Sequence, residues 1–158
     1  MSSLRSVQSV LHNFLYVFTI YMFATITGAS PGYAQSPAFI VGHDRGGIIG
    51  VRANEVRRLN NSGRRVEIRG TICLSSCTMY LGAENVCVNP EASFGFHGSS
   101  YYGQPLAPED FEYWSKILAS HYPPAIRKWF MTTARHKRTS YYTIRGNELI
   151  QQGVRPCS

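Results

Sequence analysis

Apolar residues fall into short runs separated by glycine, asparagine and proline breaks, and the period within the runs changes along the chain. Residues 38–41 form a short apolar run that predicts a strand. It ends at Gly42-His43-Asp44-Arg45-Gly46-Gly47, where paired glycines let the backbone turn tightly or approach a ligand. Ile48, Ile49, Val51, Val56 and Leu59 then recur at roughly helical spacing until Asn60-Asn61-Ser62-Gly63 supplies a stop. Arg65-Val66-Glu67-Ile68-Arg69 alternates polar and apolar, the period of a half-buried strand, and Gly70 opens a loop. Residues 75–81 read as a short helix with Ser75 available as its cap. Residues 85–88 and 93–96 read as two short strands separated by a turn at Pro90, giving the order β-α-β-α-β-β. Beyond a glycine- and tyrosine-rich loop at 98–103 the pattern becomes helical. One helix starts at Pro108-Glu109-Asp110, with proline and acids favourable at an N-terminus. A second starts at Pro123-Pro124 with Ile126, Trp129 and Phe130 on one face, and a third covers 145–152 and is closed by Gly153. The pattern predicts an α/β chain.

The N-terminus differs in kind. Met1 and Arg5, with no acid, precede an apolar run over residues 14–26, and small residues at Gly32 and Ala34 fit a secretory leader cleaved after Ala34. The run is shorter than the roughly 20 apolar residues that span a membrane, so a membrane association is expected only if this leader stays uncleaved. Cleavage leaves residues 35–158 as a single domain of 124 residues, and the net charge falls from +7 to +6 with the loss of Arg5. The mature chain is then periplasmic or secreted. Its basic residues are dispersed and no recognition motif is present, so no nucleic-acid partner is expected.

All four cysteines, Cys73, Cys77, Cys87 and Cys157, lie in the mature part, and an oxidising compartment makes two disulfides the expectation. Four cysteines allow three pairings. A helix climbing from Cys77 and a strand returning past Cys87 bring those two level, which predicts Cys77–Cys87 and leaves Cys73 for Cys157. The Cys73-x3-Cys77 spacing has no second tight pair downstream, so neither a metal nor another cofactor is expected.

Three motifs share an order that carries chemistry: Gly46-Gly47, then Gly70-x4-Ser75-Ser76-Cys77, then Phe94-Gly95-Phe96-His97. This resembles the Clp protease proteolytic subunit and its crotonase-superfamily relatives. It resembles more closely small exported proteins of that group with Cys-x-Ser-Ala-Cys and Gly-Phe-His motifs. Gly47 and Ser75 are 28 residues apart, Ser75 and His97 are 22 apart, and Pro90 precedes His97 by seven. The resemblance covers residues 38–97 well and the last third weakly. It implies a ClpP/crotonase-like fold of ββα units, reduced in size, with Ser75 as nucleophile and His97 as its base. The backbone N–H groups of Gly47 and Ser76 would be the oxyanion donors, with the Ser76 side chain dispensable. A serine hydroxyl needs such a base, and a developing oxyanion needs such donors.

The sequence departs from that family at the third triad position, which falls near Tyr141 within Thr139-Ser140-Tyr141-Tyr142 and has no carboxylate. Asp44, Glu91, Glu109 and Asp110 do not match it either. A Ser–His dyad, a hydroxyl from Thr139 or Ser140, and an inactive site all remain open. Ser75 as a plain helix cap, His97 bonded to backbone at a strand end, and Gly46-Gly47 as a plain turn are the simpler alternatives. Two functions follow: a serine-hydrolase-like protein acting on a peptide or protein substrate, and a catalytically silent envelope protein that binds or assembles through the same cleft. Self-association is an expectation by resemblance alone. Phe111, Trp114, Trp129 and Phe130 are expected in the core, and Tyr101 and Tyr102 beside the site.

Overall fold

Among the described residues, short runs between turn residues, most of them β-branched or aliphatic, form seven strands, and most of these pair in parallel because helices intervene in the chain. The coordinates, a computed structural model, describe residues 36–158, so the predicted leader and its cleavage point lie outside the described residues. One sheet has the order β1 (Phe39–Val41), β2 (Val66–Ile68), β4 (Val86–Val88), β7 (Arg155–Pro156), all parallel. The other has the order β3 (Ile72–Leu74), β5 (Ser93–Phe96), β6 (Tyr142–Arg145), with β3 and β5 parallel and β6 antiparallel. Among the described residues four α-helices accompany them: α1 (Ile49–Asn61), α2 (Pro108–Ser120), α3 (Pro124–Thr132) and α4 (Gly146–Gln151). The chain is thus α/β.

The expected half-buried alternation of β2 is not what forms. Val66, Glu67 and Ile68 are all buried, because β2 lies between β1 and β4 and both of its faces are covered. Glu67 is tolerated there by ion pairs with Arg65 and with Arg69, the latter at 2.5 Å. The helix predicted at 75–81 is a 3-10 helix, Ser75–Gly82. Its apolar residues Met79, Tyr80 and Leu81 are buried, with Phe94, Phe96 and Phe130, in one core. Phe111 and Phe130 are buried as expected, whereas Trp114 and Trp129 are only partly so.

Both disulfides form, with the other pairing: Cys73–Cys77 and Cys87–Cys157. The predicted Cys77–Cys87 and Cys73–Cys157 bonds fail for two reasons. A sharp reversal at Ser75 folds Cys77 back to a Cα–Cα distance of 5.2 Å from Cys73. The chain after Gly153 runs as β7 beside β4, where the Cys157 N–H donates to the Val88 carbonyl at 2.9 Å and its sulfur meets Cys87. These bonds belong to an oxidising compartment. No helix among the described residues is long and apolar enough to cross a membrane.

Candidate active site

Strand β3 delivers Ser75 to the site, and the backbone reverses there with φ of 56°. A non-glycine residue in the left-handed region costs on the order of 1–3 kcal/mol and persists only where its surroundings over-determine it. Such a strand-to-helix turn lifts the side chain clear of the sheet. Strand β5 lies beside β3 with Leu74 opposite Gly95, so the residues just beyond each strand emerge at the same end. Ser75 Oγ and His97 Nε2 are 2.8 Å apart. The serine therefore does not cap the helix: the helix start has no side-chain cap bond, and the hydroxyl faces the imidazole instead.

Gly46-Gly47 packs directly against this turn. Gly46 has φ of 98°, and a Cβ there would lie 2.6 Å from the Ser75 Cβ, so glycine is required on both conformational and steric grounds. Gly47 faces open space at the cavity, and among the described residues no hydrogen bond engages its N–H. Its carbonyl accepts a bond from Ser76 Oγ at 3.1 Å. The Ser76 side chain, dispensable in the sequence reading, is thus fully buried and latches the glycine segment to the serine turn. The Ser76 N–H lies in the first turn of the helix, where backbone donors lack intrahelical partners.

Burial holds the His97 pKa below the usual histidine value, so the imidazole is neutral at neutral pH. Tyr141, where the resemblance expects a carboxylate, does sit beside it. Pairing of Phe96 with Tyr142 across β5 and β6 puts the Tyr141 ring edge-on to the imidazole, with centroids 4.9 Å apart. Glycine at position 95 gives this ring room, since a Cβ there would come within 3.1 Å of two Tyr141 ring carbons. Among the described residues no hydrogen bond engages His97 Nδ1, from Thr139, Ser140 or any acid. Packing, not a carboxylate, orients the ring.

The Ser75–His97 pair opens onto a cavity of about 440 Å³. Ile48, Ile49, Leu106, Trp114 and Leu118 form its apolar walls, and among the described residues no charged one lines it. Trp114, expected in the core, is therefore a wall residue. Tyr101 and Tyr102 border the site as expected, on a tight hairpin closed by paired bonds of 2.9 Å between Tyr101 and Gln104. Tyr102 and Gly103 at its tip both have positive φ, as a type I′ turn demands.

No family model and no curated protein matches this chain.

The chemistry therefore rests on the arrangement itself. A hydroxyl within hydrogen-bond reach of a neutral imidazole can pass its proton to that ring while attacking an acyl carbon. All four cysteines are in disulfides, and no group of three or more His, Cys, Asp or Glu side chains is gathered to hold a metal ion among the described residues.

The sequence reading missed a polar network behind the glycine turn. Asp44 Oδ1 accepts the Gly46 N–H at 2.7 Å, and Asp44 Oδ2 pairs with Arg52 Nη2 at 2.6 Å. Arg52 Nη1 bonds both the Tyr80 hydroxyl and Glu55, and Tyr80 donates to Glu55 at 2.7 Å. The Asp44-x-Gly46 turn is readable from sequence. The meeting of Arg52 with Tyr80, 28 residues later, is tertiary and leaves no local signal.

Proposed function

We propose that this chain is a serine hydrolase of ClpP/crotonase-like fold, periplasmic or secreted, acting on peptide or related acyl bonds. Ser75 Oγ attacks the acyl carbon as His97 Nε2 takes its proton, and the N–H groups of Gly47 and Ser76 receive the developing oxyanion. The imidazolium then protonates the leaving group, and water, deprotonated by the same imidazole, releases the acyl group from Ser75. The single observation that carries this reading is the 2.8 Å approach of Ser75 Oγ to His97 Nε2, at a left-handed serine beside an open cavity. A strained backbone at such a place is a common property of reacting groups.

A fluorophosphonate probe tests it. The residue 35–158 protein should be labelled stoichiometrically, while Ser75→Ala and His97→Ala lose labelling and the double variant is no worse than either single one. A second reading, a silent binding protein, is favoured by one observation: among the described residues no carboxylate meets His97 Nδ1. Labelling that is absent from the oxidised, folded protein would select that reading.

A further inference from the structure

We propose that Asp44, held by Arg52, is a positioning residue that aims the Gly47 N–H at the oxyanion. The inference rests on the hydrolase reading and extends it to residues outside the cavity.

Asp44 is fixed through its backbone and its side chain at once. Its N–H donates to the Ile72 carbonyl and its carbonyl accepts the Leu74 N–H, both at 2.9 Å, so it is registered on the strand that leads into Ser75. One carboxylate oxygen takes the Gly46 N–H and the other takes Arg52. Arg52 is in turn clamped from two directions, by Glu55 one turn further along α1 and by Tyr80 in the helix that Ser75 begins, with its guanidinium stacked 4.3 Å from the centre of the Tyr80 ring. Three segments that must keep a fixed relation for an oxyanion site to work are therefore tied together through the Asp44–Arg52 pair: the glycine turn at the carboxylate, helix α1 through Arg52, and the serine-bearing helix through Tyr80 on Arg52.

The consequence for Gly47 follows from the order of donors. The Gly46 N–H is consumed by Asp44 and the Gly47 carbonyl is consumed by Ser76 Oγ. The Gly47 N–H lies between these two anchored points and is engaged by nothing among the described residues. Without the Asp44 bond, a glycine pair with this much backbone freedom has many orientations open to it, and a donor that must reorganise during the reaction stabilises the oxyanion less.

The test uses the oxidised residue 35–158 protein with p-nitrophenyl butyrate and the fluorophosphonate probe. Asp44→Ala removes both the Gly46 acceptor and the Arg52 partner, and should lower kcat about 100-fold, the loss of one oxyanion donor, with KM and the pH midpoint unchanged. Asp44→Asn keeps an oxygen for Gly46 but loses the charge that pairs with Arg52, and should show an intermediate loss of kcat, about three- to tenfold, at constant KM. Wild-type kcat in Asp44→Ala, or equal losses in the two variants, overturns the positioning role while leaving the hydrolase reading intact. If Asp44→Ala does not fold, Asp44→Asn alone decides: a lowered kcat at constant KM supports the role, and an unchanged kcat or a raised KM overturns it. A wild type that neither takes up the probe nor hydrolyses the ester overturns the hydrolase reading, and the positioning role with it.

Discussion

Ser75 has a backbone conformation that glycine would adopt more readily, and only serine puts a hydroxyl opposite His97 Nε2. Ser75→Gly should relax the left-handed turn and exceed Ser75→Ala in stability by about 1 kcal/mol, read by thermal unfolding of the two inactive variants. Equal stabilities would mean that the turn carries no strain. His97 gives a second residue-level expectation. If, as proposed, its neutral form is the base, burial that lowers its pKa should make hydrolysis rise with pH through a midpoint below the ordinary 6.5 and be flat at pH 7. The fold favours the same neutral form. Stability should therefore be full above 6.5 and fall as the pH drops from there toward the folded-state pKa. A pH–rate profile with its midpoint above 6.5 would contradict the burial argument.

At the level of elements, legibility divides by the range of the information. Helix α1 was readable from its apolar period and polar stop, and α2 from its proline and acidic start, because these signals lie within each segment. Strands β3, β6 and β7 were not, since two to four residues carry little period of their own and are defined by their partners. That gap explains the site as well as the fold. Ser75, His97 and the glycine pair could be singled out from local motifs, but the Tyr141 contact depends on β6, and the true cysteine partners depend on β7 and on the reversal at Ser75. The two disulfides close loops of very different size, with sequence separations of 4 and 70. Loop-closure entropy then assigns about 2 kcal/mol to Cys73–Cys77 and about 4 kcal/mol to Cys87–Cys157. Denaturant unfolding of the two double-alanine variants should show the larger loss for the Cys87 and Cys157 pair; the reverse order would mean that the short ring mainly props up the native turn.

On the scale of the whole molecule, Asp44, three residues beyond β1 of one sheet, bridges in parallel to Cys73 of β3 in the other, and the Ser75–His97 pair stands at this junction. Arg52 with Asp44 and Arg135 with Glu112 form local neutral pairs that leave the excess of +7 on other basic side chains, and no charged residue among the described residues lines the cavity. The Cys73–Cys77 bond adds a temporal dimension, because its ring of five residues contains the reactive serine at its centre. The constraint it supplies, about 2 kcal/mol, is as large as the cost of the left-handed serine it encloses. A chain in a reducing environment has not closed that ring, so on the proposed hydrolase reading synthesis and arming would be separate events, with oxidation as the safety catch. Probe uptake at Ser75 should fall at least tenfold when Cys73 and Cys77 are reduced and alkylated with Cys87–Cys157 left intact, and undiminished uptake would show that the sheet alone keeps the serine cocked.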